Sequence, residues 1–180
     1  MAEETIIQKK REAIKKDLFS GEEKIVLAAV KKCEKSGNDS LIQPLLIAFR
    51  DAEAESNIRS EIKKLLETLK VSKGEDILVD ALESEEFDSI NDHIMSFIWN
   101  SGFQPDNQIE LIVNKALEGD FMCAVEGLTL LESLHAPVDE ASLTQGLIDV
   151  REYLLEHKDT DNQNLPIALN IYEVLSGFEE

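Results

Sequence analysis

Apolar residues recur along this chain at helical spacing, and one short helical pattern returns at intervals of a little over thirty residues. Three segments carry the pattern: 44–49, 76–82 and 111–117. Each segment contains Ala followed by a large apolar residue, and these large residues, Phe49, Leu82 and Leu117, are 33 and 35 residues apart. A period in this range is typical of helical solenoids, whose repeats bury their apolar faces by stacking on one another.

The periodicity predicts ten helices in five antiparallel pairs. The expected ranges are about 3–18 and 21–35, 41–51 and 57–70, 75–83 and 88–101, 105–118 and 121–135, and 139–157 and 165–177. Two of the second helices match position by position, because Ile58, Ile62, Leu65 and Leu66 recur 32 residues later as Ile90, Ile94, Phe97 and Ile98. This match strengthens the prediction of a repeat.

Local signals place several helix ends. Ser20 with Glu23 three residues later predicts a capping box, and Ser56 predicts the cap of the fourth helix. Gly102 is expected to stop the sixth helix, and Pro105 to be the first residue of the seventh.

The stretch 37–51, followed by 57–62, resembles a HEAT-like repeat of the short bacterial type. It has a small or acidic start, then Pro44 and two apolar residues, then Ala48-Phe49, an acidic turn, and a second helix that opens with Ile58-Arg59. The close match covers residues 37–70, and the third and fourth pairs keep the apolar skeleton without the Pro and the Arg. The resemblance implies an all-α, right-handed α-solenoid of about five HEAT-like helix pairs, and it transfers no activity.

The composition favours one folded domain over residues 1–180. The chain has only 8 Gly and 4 Pro and lacks a Ser/Gly-rich linker, so the array is expected to be continuous. Its first residues lack the apolar stretch of a signal peptide, and the sequence has no run of ~20 apolar residues. Cys33 and Cys123 are expected to be reduced and buried, and the predicted location is cytoplasmic.

The charge is unevenly distributed. Residues 1–75 hold 15 Lys or Arg and 14 Asp or Glu, whereas residues 76–180 hold 3 and 23. An acidic half of this kind attracts a basic partner and repels polyanions and anionic membranes. Solubility alone is the competing explanation.

The sequence contains no catalytic signature, so we predict a protein that is not an enzyme and holds no cofactor. Some HEAT-like proteins are metal-dependent hydroxylases with His-Glu dipeptides, which this chain lacks. Glu132 and His135 share a helix face, but a di-iron site needs a second such motif. The segment 159–164 begins like a calcium loop, yet it has Asn164 in place of the required Gly. No metal site is predicted.

Nucleic-acid binding is not expected either. The only basic cluster lies in the first helices, at Lys9, Lys10, Arg11, Lys15 and Lys16, and acidic residues are interspersed with it. Charges mixed in this way usually belong to a solvated helix face.

Two features point to protein binding. Trp99, with Met95 one turn earlier and Asp92 nearby, lies beside the core-facing residues of its helix and resembles an interface anchor; the alternative is packing against the fourth helix pair. The last helix is apolar around most of its circumference, which predicts docking on helix 139–157 or on another chain, as in a homodimer.

We therefore predict a non-catalytic interaction scaffold or adaptor whose acidic surface takes a basic or amphipathic protein. The predicted contacts are Asp92, Met95, Trp99, Glu126, Glu132 and Glu173. The alternatives are a metal-dependent enzyme on a HEAT-like scaffold, and an acidic inhibitor of the immunity type that neutralises a basic protein.

Overall fold

The structure, a computed structural model, describes the backbone of residues 2–179 and the side chains of residues 6–179. Within this part of the chain the regular structure is helical throughout, with no β-strand. The ten α-helices are α1 (Ala2–Leu18), α2 (Glu23–Ser36), α3 (Ile42–Asp51), α4 (Asn57–Leu66), α5 (Gly74–Glu83), α6 (Asn91–Ser101), α7 (Ile109–Glu118), α8 (Phe121–Glu132), α9 (Glu140–His157) and α10 (Leu165–Gly177). The prediction of an all-α fold is confirmed.

Several helix ends differ from the prediction. Helix α4 ends at Leu66 and not at 70, and α8 ends at Glu132 and not at 135. Two helix starts differ because the backbone tightens into 3₁₀ turns. The sixth helix begins at Asn91 because Glu85–Ile90 forms a 3₁₀ segment. Pro105 is not the first residue of α7, since its ψ of 63° is not helical and the 3₁₀ turn Asp106–Gln108 follows it. Such turns are common at the start of α-helices.

The predicted caps are partly formed. Ser56 Oγ accepts the backbone N–H of Arg59 at 3.2 Å, as expected. Gly102 ends α6 with a left-handed φ of 74°, which glycine adopts without steric cost. The prediction of a capping box at Ser20 is wrong. Helix α2 begins at Glu23, and the Ser20 hydroxyl instead accepts the backbone N–H of Glu22.

The residue contacts divide the chain into two compact units, which we call unit 1 (Met1–Ile77) and unit 2 (Leu78–Glu180). The boundary falls inside α5. The single continuous domain over residues 1–180 stays a prediction.

In unit 1 the helices pack as two neighbouring pairs. Helix α1 contacts α2 and α3, and α4 contacts α2 and α3. The core between them contains Leu46, Phe49, Ile62 and Leu66, which are fully buried. Arg59 fixes the start of α4, because its Nη1 donates to the Phe49 carbonyl at 3.0 Å and its guanidinium lies 4.1 Å from the centre of the Phe49 ring.

In unit 2 the pairs α7–α8 and α9–α10 lie side by side. Helix α7 contacts α9, and α8 contacts both α6 and α10. Two glycines allow this close packing. A Cβ on Gly127 of α8 would lie 2.4 Å from the Cβ of Ala116 on α7, and one on Gly146 of α9 would lie 2.9 Å from Cγ2 of Ile109. Neither position has room for a side chain.

No helix in the described part of the chain has both the length and the apolar character needed to cross a bilayer.

Candidate protein-binding surfaces

The first candidate surface lies where α6 packs against α8. Trp99 on α6 is half-buried, and its indole Nε1–H donates to Oε2 of Glu126 on α8 at 2.8 Å. Asp92 is also half-buried and lies at the other end of α6 from Trp99. It is close enough to Cys123 for its negative charge to raise the pKa of that thiol. The structure therefore brings three of the sequence-predicted residues onto the α6–α8 pair, and it connects two of them directly.

Met95 is not on this surface. Its side chain is fully buried, and its Sδ lies 3.4 Å from the position that a Cβ on Gly127 would occupy. The missing side chain of Gly127 leaves the space that the flexible Met side chain fills. Met95 thus packs against α8 in the fourth helix pair, which was the alternative that the sequence left open, and it presents no contact for a partner.

Glu132 and Glu173 are exposed at separate places. Glu132 is the last residue of α8, and Glu173 lies on the outer side of α10, opposite the buried residues Ile171 and Leu175. Exposed carboxylates at these positions are available to a partner. Each would act on it through its long-range charge and not as part of a pocket.

The second candidate surface was missed in the sequence. A groove of about 460 Å³ lies between α7 and α9, and four carboxylates line it, together with Tyr153 and His157. The four acidic residues are Glu118, Asp149, Glu152 and Glu156. The three on α9 are spaced i, i+3 and i+7, so they lie on one helix face. We call this recess the acidic groove.

Asp149 is the most constrained carboxylate in the acidic groove. Its Oδ1 accepts a hydrogen bond from Nε2 of Gln145 at 2.8 Å. Its Oδ2 is shielded from solvent and accepts no hydrogen bond from any described group. A shielded anionic oxygen without a donor is costly, so this carboxylate is less well stabilised than a hydrated one.

A wider polar groove of about 600 Å³ continues along the same two helices. It shares Asn114 with the acidic groove and adds the acidic residues Glu83, Glu110 and Asp139. The α7–α9 side of unit 2 therefore offers an extended anionic surface with two recesses.

Neither cysteine is placed for nucleophilic chemistry. Both thiols are free and buried, as predicted. Burial raises the pKa of Cys33 to about 11, and burial together with the charges of Asp120 and Asp92 raises the pKa of Cys123 to about 11. Both side chains are therefore protonated at neutral pH.

The structure gives no metal-binding cluster to Glu132 and His135. Both side chains are exposed, and the backbone N–H of His135 donates to Oε1 of Gln104 at 2.8 Å. Among residues 6–179, no three His, Cys, Asp or Glu side chains come together in an arrangement that could hold a metal ion.

No protein-family model, no curated protein and no solved structure matches this chain significantly.

Proposed function

We propose that this protein is a non-catalytic interaction scaffold of the HEAT-like type, and that unit 2 binds a basic protein partner. The proposal has an architectural part, the stacking of helix pairs, and an electrostatic part, the acidic groove.

The contacts within each unit support a HEAT-like solenoid. In unit 2 the first helices of successive pairs are neighbours (α7 and α9), and so are the second helices (α8 and α10). In unit 1 the same relation holds for α1 with α3 and for α2 with α4. This nearest-neighbour order is how stacked helical repeats bury their apolar faces.

The charge of unit 2 supports a basic partner. Residues 78–180 contain 3 Lys or Arg and 22 Asp or Glu, whereas residues 1–77 contain 15 of each. One of the three cations, Lys115, is already bound to Asp88 at 2.7 Å. The potential around unit 2 is therefore negative over a wide area, and it accelerates encounters with a positively charged surface.

The observation that carries the proposal is that Glu118, Asp149, Glu152 and Glu156 line one recess, the acidic groove. Carboxylates that face the same concave surface add their negative potentials there, which favours a cation in the groove. A Lys or Arg side chain seated between Glu118 and Glu156 would donate charge-assisted hydrogen bonds to these two exposed carboxylates.

The α6–α8 surface is the second contact in this proposal. The half-buried ring of Trp99, held by Glu126, lies two turns along α6 from Asp92. An amphipathic basic segment that lies along α6 would place an apolar side chain on the ring and a cation at Asp92, because Trp rings act as anchors in interfaces.

The test is recovery of partners from the native cell by the full chain and by two charge-reversal variants. The first variant, Glu118→Lys with Glu156→Lys, changes the acidic groove. The matched control, Glu22→Lys with Glu34→Lys, makes the same charge change at exposed positions of unit 1. A basic protein recovered by the wild type and by the control, but bound at least roughly tenfold more weakly by the groove variant, would support the proposal.

Partners so identified are then purified and titrated at several salt concentrations. Affinity for the wild type is expected to fall as salt rises, since screening weakens contacts between opposite charges. Recovery of nucleic acid alone, or of proteins that bind the groove variant and the wild type equally, would refute the proposal.

A further inference from the structure

The acidic groove has an aromatic wall as well as its carboxylates. Tyr153 and His157, one turn apart on α9, both line the recess of about 460 Å³. Their rings are stacked, with the ring centroids 4.2 Å apart and an angle of 29° between the ring planes. Both side chains are half-buried. The groove therefore holds two ordered aromatic rings next to its anionic side chains.

Hydrogen bonds hold both rings in place. Nδ2 of Asn162 donates to the Tyr153 hydroxyl at 2.8 Å. Nδ1 of His157 lies 2.9 Å from the backbone carbonyl oxygen of Tyr153. Because a carbonyl oxygen only accepts, Nδ1 is the donor of this bond, which fixes the orientation of the imidazole ring. A ring that is already ordered loses little conformational freedom when a ligand packs on it.

Three carboxylates of the groove are free to receive a cation. Glu118, Glu152 and Glu156 are exposed, and none of them forms an ion pair or a side-chain hydrogen bond within the described part of the chain. Asp149 differs from them, because its Oδ1 accepts from Gln145. The groove thus combines unpaired anionic oxygens with an aromatic surface.

This combination distinguishes between the two basic side chains. The guanidinium of Arg is planar, stacks on aromatic rings, and donates to a carboxylate through two parallel N–H groups. The ammonium of Lys is a compact and strongly hydrated charge that gains less from a flat ring. A recess lined only by carboxylates would accept either side chain, whereas a recess that also contains rings favours Arg.

The same kind of contact occurs twice within this chain. The guanidinium of Arg59 lies 4.1 Å from the centre of the Phe49 ring, and that of Arg151 lies 5.2 Å from the centre of the Tyr172 ring. Nη2 of Arg151 also donates to the Tyr172 hydroxyl at 2.9 Å. No Lys or Arg in the described part of the chain makes a cation–π contact with Tyr153. The ring in the groove therefore remains available to a cation from another molecule.

We propose that the acidic groove is selective for arginine. The basic partner inserts an Arg side chain, which packs on the ring of Tyr153 and donates to the carboxylates of Glu118 and Glu156. This selectivity rests on the proposed function, because the partner that supplies the Arg is the basic protein proposed above. A protein whose contacting residues are all Lys is expected to bind the groove more weakly.

The experiment measures, by calorimetry, the affinity of the purified full chain for two short Gly/Ser peptides that differ only in carrying Arg or Lys at the same positions. The wild type should bind the Arg peptide about fivefold more tightly, which is the effect of a cation–π contact at a partly exposed site. Tyr153→Leu removes the ring without changing the charge. It should lower the affinity for the Arg peptide to that for the Lys peptide, and leave the affinity for the Lys peptide unchanged.

Two control variants separate the ring from other effects. Tyr153→Phe keeps the ring and removes the hydroxyl that Asn162 binds, so it should keep the preference for Arg. Tyr172→Leu changes the other tyrosine of the chain, which lies on α10 and does not line the groove. It should bind both peptides as the wild type does. Circular dichroism and thermal melting establish that each variant is folded.

The groove variant, Glu118→Lys with Glu156→Lys, distinguishes failure of the selectivity from failure of the proposed function. If it weakens the binding of both peptides, and the wild type binds them equally, the groove still takes a basic partner and the selectivity is refuted. If the wild type binds neither peptide, or the groove variant binds both unchanged, both proposals are refuted at this groove. A preference that persists in Tyr153→Leu would be a general property of Arg peptides and would also overturn the selectivity.

Discussion

Unit 1 and unit 2 are built from helix pairs with the same order of neighbours, and yet their surfaces differ completely in charge. In unit 1 the 15 cationic and 15 anionic residues balance, while unit 2 carries a net charge of −19. The buried positions set the packing and the exposed positions set the charge, so the two properties vary independently. A similar arrangement of helices can therefore be neutral in one region and strongly anionic in the next.

The two units also differ in where their described glycines lie. In unit 2, Gly127 and Gly146 lie where a Cβ would meet a neighbouring helix. In unit 1, Gly21 and Gly37 lie in turns, and a Cβ on either would meet nothing within 4 Å. Unit 2 thus has two helix contacts that leave no room for added volume.

The largest effect is expected from Gly127→Ala. In an exposed helix this change would stabilise by roughly 0.5–1 kcal/mol, since Ala favours the helix more than Gly does. Here the new methyl would lie 2.4 Å from the Cβ of Ala116, so α7 and α8 must move apart. We expect a net loss of about 1–3 kcal/mol in the free energy of unfolding. It is measured by denaturant titration with the fluorescence of Trp99, which reports on unit 2.

The control for this prediction is Gly177→Ala at the end of α10. A Cβ there would meet nothing within 4 Å, so the substitution should be neutral or slightly stabilising. Equal destabilisation by both variants would show that the effect comes from the backbone of glycine and not from the contact between α7 and α8.

A smaller loss, about 1–2 kcal/mol, is expected from Arg59→Ala in unit 1. The substitution removes the hydrogen bond from Nη1 to the Phe49 carbonyl and the contact between the guanidinium and the Phe49 ring. Hydrogen exchange should increase in peptides from α3 and α4. Arg59→Lys keeps the charge without the planar guanidinium, and it should restore little of the loss. Full recovery by Lys would mean that the charge alone matters here.

Much of this fold follows from helical periodicity in the sequence. The spacing of apolar residues located all ten helices, and the Ser56 cap and the Gly102 stop were correct because their hydrogen bonds are local. The start of α7 was wrong because Pro105 fixes φ but leaves ψ free, and the chain uses that freedom for a 3₁₀ turn.

The surfaces were harder to predict because they depend on which helices meet. Met95 looked peripheral on its own helix, and it is buried because Gly127 of a neighbouring helix leaves a space for it. The stripe of Asp149, Glu152 and Glu156 is visible in the sequence, but nothing there shows that α7 turns it into a groove. Both features arise from contacts between segments distant in sequence.

Added salt should change the stability of the two units differently, and this effect should be smaller than the two above. Repulsion among the 22 anionic residues of unit 2 opposes its folding, and screening weakens that repulsion. We expect the stability of unit 2 to rise by about 1 kcal/mol or less between low and physiological ionic strength, with little change in unit 1. Hydrogen exchange of peptides from α2 and from α8 measures each unit separately. An equal response of both units would contradict the role given to the charge difference.

The smallest effect concerns one thiol in each unit. Cys33 and Cys123 both have a pKa of about 11, but burial alone raises that of Cys33, whereas burial and the charges of Asp120 and Asp92 raise that of Cys123. Asp92→Asn removes a negative charge that disfavours the thiolate, so the pKa of Cys123 should fall and its alkylation at a fixed alkaline pH should become faster. Cys33 is the internal control and should keep its rate. Glu132→Gln, which neutralises a carboxylate at the far end of α8, should change neither rate. If Asp92→Asn accelerated the alkylation of both cysteines equally, the variant would be increasing global unfolding. The difference between the two thiol environments would then have no electrostatic origin.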